Sequence, residues 1–162
     1  MTLLSSTFDS PIGTINLIAD GSILLAANLS TQKAARESLH ADYKGFKIDA
    51  VKKIPIITDL LKDYFDGDIT AINGIKVSQP GASFSQNAWK AMRKVKGVIS
   101  YSELANRAGS PAAVRAAGSA CAKNAIVLVV PCHRIVKTGG NLGNYAYGLN
   151  KKEWLLRHEG AL

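Results

Sequence analysis

Tyr101-Ser102-Glu103-Leu104-Ala105-Asn106-Arg107-Ala108-Gly109-Ser110-Pro111-Ala112-Ala113-Val114-Arg115-Ala116-Ala117-Gly118-Ser119-Ala120 holds two helical patterns separated by a break. In the first, Tyr101, Leu104, Ala105 and Ala108 recur at i, i+3, i+4 and i+7, one face of a short amphipathic helix that Gly109 ends. Ser110-Pro111 restarts the chain with a cap and a first-turn proline, predicting a second helix over 111–120. Two short helices joined by a glycine turn make a helix-turn-helix. The second helix has small side chains almost everywhere except Arg115. Two readings fit: tight packing inside the protein, or a backbone lying close against a nucleic-acid groove with one long cation projecting.

Upstream, Ser85 can cap a helix whose Ala88, Met92 and Val95 lie one turn apart beside Trp89, stopping near Gly97. Downstream, residues 125–130 form an almost purely apolar run that predicts a buried strand. Pro131 stops ladder pairing there and leaves Cys132 at the strand's mouth. A glycine-rich loop over 137–147 and a helix over 150–158, closed by Gly160, complete this half.

The first half reads differently. Residues 14–19 and 23–27 flank the turn Asp20-Gly21 as a hairpin, helical spacing covers 33–40 and 57–65, and Asn73-Gly74 marks another turn. Charge changes at Gln79-Pro80-Gly81: residues 1–79 carry eight Lys or Arg against nine Asp or Glu, and residues 80–162 carry twelve against three. The lobe boundary is placed there, giving an α+β chain with a small β-sheet lobe over 1–79 and a mostly helical lobe over 80–162. A concentrated positive field attracts polyanions, so nucleic acid is the natural partner of the second lobe, with a solvated basic face as the alternative.

Composition narrows the classes. With 47% apolar and 20% charged residues the chain is globular, and no apolar run reaches the roughly 20 residues of a membrane span. Residues 1–10 lack a secretory pattern, so the expected location is the cytosol, or the nucleus in a eukaryote. The two cysteines, Cys121 and Cys132, then read as free thiols. Three scattered histidines and two cysteines show no metal-ligand spacing, so no metal is expected.

A thiol beside an apolar strand is held protonated by low dielectric, so a nucleophilic Cys132 needs help. His133 can take its proton directly or through one water, and Glu159 is the best carboxylate to orient that imidazole. Arg134 adds a nearby positive charge. By itself a Cys-His pair is weak evidence, and a structural cysteine is the better reading of it.

The string Pro131-Cys132-His133-Arg134-Ile135-Val136 resembles the signature of the O6-alkylguanine-DNA alkyltransferases, or methylated-DNA–protein-cysteine methyltransferases. Ser100-Tyr101, Arg115, Asn124, Gly143-Asn144-Tyr145 and Lys152-Glu153-Trp154-Leu155-Leu156-Arg157-His158-Glu159-Gly160 match in order. Ser10-Pro11-Ile12-Gly13 and Leu61-Lys62-Asp63-Tyr64-Phe65-Asp66-Gly67 extend the likeness more loosely into the first half.

The resemblance implies a ribonuclease-H-like first lobe and a helix-turn-helix, winged-helix-like second lobe that carries the active site. It implies transfer of an alkyl group from O6-alkylguanine in duplex DNA to Cys132, once per molecule, after the base is rotated out of the helix. His133 and Glu159 match the base and orienting carboxylate, Asn124 holds the active-site turn, and Tyr101 assists rotation and hydrogen-bonds guanine. Arg115 matches the finger that fills the vacated stack, with Ser102, Ala113, Ala116 and Gly118 beside it on the DNA. Tyr145, Ala146, Ile135 and Cys121 line the base pocket. The protein is expected to act as a monomer. Two other classes compete: a lesion sensor or regulator that binds DNA without transfer, and a cysteine hydrolase.

Overall fold

The computed structural model describes residues Met1–Leu162. It divides into two compact units, Met1–Pro80 with Ala125–Val129, and Gly81–Asn124 with Val130–Leu162. The junction falls after Pro80, and residues 125–129, assigned from sequence to the second lobe, belong to the first unit.

In the first unit, β1 (Thr2–Ser10), β2 (Gly13–Asp20) and β3 (Ile23–Asn28) form an antiparallel meander. β4 (Lys47–Ala50) runs parallel to β1 and β5 (Lys76–Val77) parallel to β3, giving the order β4-β1-β2-β3-β5. β2 does not alternate between buried and exposed residues. Five consecutive residues, Ile15 to Ala19, are buried, the mark of a strand covered on both faces. α1 (Gln32–Glu37) supplies part of that cover, with Ala35 packed among Leu3, Ile18, Leu25, Ala26 and Leu39. It stops short of residue 40, and Ser38 serves as its C-cap. α2 (Ile57–Phe65) has the predicted bounds and buries Ile57, Leu61 and Tyr64; Phe65 stacks on Phe8 of β1 at 5.7 Å between centroids.

The predicted strand over 125–130 is buried without being a strand. Ile126 makes a single bridge to Ala27, Val129 N–H then bonds back to Val127 O at 2.9 Å, and Leu128 adopts φ +73°. A β ladder cannot pass through that turn. Its polar groups are met individually instead: Ala125 N–H donates to Gln79 Oε1 at 2.9 Å and Val127 N–H to Ala27 O at 3.0 Å.

The second unit is built on α3 (Ser83–Met92), α4 (Tyr101–Arg107), α5 (Val114–Ala122) and α6 (Leu149–His158), with a two-residue parallel pair of β6 (Ile99–Ser100) and β7 (Ile135–Val136). α3 begins ahead of Ser85, which is therefore no cap, and ends before Gly97, with Arg93 as its C-cap. Ser100 Oγ caps α4 by accepting from Glu103 N–H at 3.0 Å. α5 opens later than Ser110-Pro111 suggested, because Ala113 N–H bonds Ser110 O at 2.9 Å and uses those residues as a turn. α4 and α5 are the two arms of the helix-turn-helix.

Trp89 fastens α3 to α5: its indole N–H donates to Ala120 O at 2.9 Å with the side chain buried. A Cβ at Gly81 would lie 2.6 Å from Trp89 Cη2, closer than two carbons can approach. Gly81→Ala is therefore expected to expel the indole and lower stability by about 1–3 kcal/mol, read as a lower urea midpoint and a shifted tryptophan emission.

Candidate active site and nucleic-acid interface

The residues expected to carry chemistry lie within the second unit. Cys132, His133 and Arg134 form one turn of 3-10 helix after Pro131, all three buried, with His133 fully so. Asn124, just past the end of α5, holds this turn by donating from Nδ2 to Val130 O at 2.7 Å, and its side chain also hydrogen-bonds Cys132. The two ends of the chain's passage through the first unit, Asn124 and Val130, are thereby pinned to each other.

α6 brings back the distant carboxylate. Glu159 Oε2 lies 2.8 Å from His133 Nε2, while Arg134 donates from Nε to Oε1 at 2.8 Å and from a terminal nitrogen to Oε2 at 3.2 Å. The same guanidinium reaches Val95 O at 3.0 Å. Burial pushes the Glu159 carboxyl up, but its bonds to His133 and Arg134 overcome this and hold it at about 2. An ionised carboxylate only accepts, so Nε2 carries the imidazole proton and Nδ1 is left bare. His133 Nδ1 is buried with no partner.

Burial drives the Cys132 thiol and the His133 imidazole in opposite directions. It pushes the Cys132 thiol up, against the Asn124 hydrogen bond and the Lys152 charge. It pushes His133 down, against Glu159. At rest the pair is neutral, thiol beside free imidazole. The arrangement suits transfer of the thiol proton as a new bond to sulfur forms, and it keeps an idle thiolate from reacting at random.

Sequence reasoning passed over Lys152. It is fully buried, and Nζ donates to Ile135 O at 2.6 Å and Asn144 O at 3.1 Å. One ammonium therefore ties the strand after the cysteine turn to the loop before α6. The signal was present: Lys152, Leu155, Leu156 and Glu159 fall at i, i+3, i+4 and i+7, a lysine on the apolar face of a helix. Arg134, noted only as a nearby charge, is in fact the carboxylate's second clamp.

Around this centre, Ile135 is fully buried in β7, and Cys121 is half-buried, its thiol pushed to about 12 by burial and by Cys132. Tyr101 is half-buried; burial first, then the two thiols, raise its hydroxyl to about 12, while Asn144 N–H hydrogen-bonds to it. Tyr145 packs edge-on against Tyr147 at 5.8 Å, and Ala146 is exposed between them. No three His, Cys, Asp or Glu side chains are grouped to hold a metal ion.

α5 turns Ala117 and Ala120 inward and leaves Val114, Arg115 and Ala116 exposed, with Ala113 and Gly118 intermediate. Ser102 is exposed on the first turn of α4. Arg115 has no ion pair or hydrogen bond. Glycine inside a helix costs about 0.5–1 kcal/mol relative to alanine, yet a Cβ at Gly118 would meet no atom within 4 Å. Internal packing therefore does not explain Gly118.

The family described as 6-O-methylguanine DNA methyltransferase, DNA binding domain, matches residues 83–161. The methylated-DNA–protein-cysteine methyltransferase of Salmonella typhimurium is 34% identical over 168 aligned positions, covering 100% of this chain and 98% of that protein. The Mycobacterium tuberculosis protein of the same name is 35% identical over 157 positions, covering 94% and 90%. The crystal structure of Mycobacterium tuberculosis OGT in complex with DNA superposes with a TM-score of 0.79 at 32% identity, over 96% of this chain and 92% of that one.

Glu159 is ionised near pH 2 in the folded chain but titrates near 4.5 when free, so its contribution to stability is complete above about 4.5 and lost as pH falls toward 2. Urea unfolding between pH 7 and pH 3 should show the wild type losing more stability across that window than Glu159→Gln, which is weaker at pH 7 and flatter below it.

Proposed function

This chain belongs to the methylated-DNA–protein-cysteine methyltransferase family, and from that premise we propose that it repairs DNA by taking an alkyl group from O6 of guanine onto Cys132 Sγ. The observation that carries the reading is the buried Glu159–His133 hydrogen bond, which leaves a bare Nδ1 one residue from the thiol. A buried bare nitrogen in a polar site is a natural seat for one water. The Sγ–H proton passes through that water to Nδ1, sulfur attacks the alkyl carbon, and the C–O6 bond breaks with its electron pair leaving on guanine. Tyr101 hydrogen-bonds guanine N3 and eases that departure.

The product is a thioether, with no leaving group that water can displace under mild conditions. Each molecule therefore acts once and needs no cofactor. In stacked DNA the O6 substituent is concealed, so the damaged nucleotide must be extruded into the pocket made by Tyr145, Ala146, Ile135 and Cys121. The slender exposed face of α5 suits a minor groove about 6 Å wide. Ala113, Ala116 and Gly118 let the backbone approach, Ser102 and Tyr101 meet the phosphates, and Arg115 enters the vacated stack. Minor-groove entry reads little sequence, as a repair protein requires. Asn124 keeps the cysteine turn in register. The protein works as a monomer in the cytoplasm, or in the nucleus of a eukaryotic cell.

Intact-mass measurement after mixing with an O6-methylguanine duplex tests the central step. One methyl group, about 14 Da, should appear on Cys132 in a one-to-one reaction. An unchanged mass would mean a lesion sensor, and catalytic turnover would mean a hydrolase.

Arg115→Ala is expected to slow transfer from duplex DNA by about tenfold or more, a loss of about 1.4 kcal/mol of transition-state binding, while leaving reaction with free O6-benzylguanine unchanged. Equal losses on both substrates would remove the finger role. Gly118→Ala should melt no lower than the wild type, since a Cβ there meets no atom within 4 Å, yet bind duplex DNA more weakly in a salt-matched titration.

A further inference from the structure

A second buried polar atom in the active site lacks a partner. The Tyr145 hydroxyl is enclosed and makes no hydrogen bond, like His133 Nδ1. A buried phenol without a partner loses its hydration uncompensated, and native structures avoid this unless water, ion or substrate supplies the missing partner. Tyr145 does not lie there by looseness of its loop. Lys152 holds the neighbouring Asn144 O on the same nitrogen that binds Ile135 O, Asn144 N–H bonds Tyr101, and Gly148 N–H closes a turn onto Tyr145 O at 3.0 Å. The ring is braced edge-on by Tyr147. Its hydroxyl lies within electrostatic reach of Cys132 and Glu159, and burial keeps it protonated far above neutral pH.

We propose that the Tyr145 hydroxyl is a positioning group for the alkyl acceptor, donating its hydrogen to the water that links Cys132 Sγ to His133 Nδ1. The inference rests on the proton relay set out under Proposed function and adds a residue to it. A water in that place has three partners to meet: it accepts from Tyr145 and from the departing thiol proton, and it donates to Nδ1. Tyr145 gives up no proton. The thiol proton moves to the water and one of the water's own protons moves to Nδ1, so sulfur gains a negative charge, imidazole a positive one, and the phenol stays neutral. A phenol so placed fixes the water's lone pair toward sulfur and stabilises the developing thiolate. Its ring would still serve as the pocket wall.

Tyr145→Phe keeps the ring and deletes only the donor. The pH dependence of Cys132 carboxamidomethylation by iodoacetamide, followed by peptide mapping to separate Cys132 from Cys121, reads the acceptor without DNA. The variant's profile should move to higher pH by about one unit, with the rate at pH 7 falling about tenfold and recovering in alkali. Transfer from an O6-methylguanine duplex should show the same displacement while duplex affinity stays constant. Replacing Tyr145 by 3-fluorotyrosine, a more acidic phenol and stronger donor, should move the profile the opposite way, and it serves as the deciding measurement if the phenylalanine variant melts early. Coincident profiles for all three proteins would overturn the proposal. A wild type that carboxamidomethylates with the expected profile but takes no methyl from DNA would overturn the repair reading and leave this one standing.

Discussion

One buried carboxylate holds the second unit's chemistry in place. Glu159 receives hydrogen bonds from two consecutive side chains, His133 and Arg134, and Arg134 continues to the carbonyl of Val95. The end of α6, the cysteine turn and the segment after α3 are therefore joined through two charged groups that neutralise each other. Removing either partner would strand the other in low dielectric, which costs far more than the pair contributes. The same bond fixes the imidazole tautomer, so the structural and chemical roles of Glu159 are one contact.

Charge balance around the thiol points the same way. Arg134 and Glu159 cancel, His133 is held neutral by burial, and Lys152 brings one further positive charge into the interior. The groups in electrostatic reach of it that can become its counterion are the thiols of Cys132 and Cys121. Cys132 stays a thiol at rest because desolvation outweighs that attraction, but ionisation in the proposed attack would neutralise the site instead of charging it. In the proposed reaction the buried lysine thus favours the transition state over the resting state, the difference on which catalysis depends.

The helix-turn-helix obeys a separate constraint. α5 packs Ala117 and Ala120 inward, and Trp89 grips its last turn through Ala120 O. The outer face is then free to be small. Gly118 gives up helix stability without filling any internal gap, which is intelligible if another surface lies against it. On the proposed reading, the surplus of positive charge in residues 80–162 supplies attraction of no particular sequence preference, and the shape of α5 decides how near the partner comes.

Much of this was legible in the chain itself. The 3.6-residue spacing marked α2, α4 and α6 to within about a residue or two, the charge shift at Gln79-Pro80-Gly81 marked the lobe boundary, and Cys132-His133 with Glu159 could be paired on chemistry and family likeness. These are local patterns or single-residue identities, which survive without knowledge of the fold. Tertiary structure decided the rest. An apolar run from 125 to 130 looks the same as a strand or as a buried turn, and only the bonds from Ala27 and Gln79 and the positive φ of Leu128 choose between them. That Arg134 clamps Glu159, that Lys152 lies inside, and that the Tyr145 hydroxyl is enclosed without a partner depend on which side chains meet across long stretches of chain. Burial and pairing of charges are properties of the assembled interior, and no window of sequence contains them.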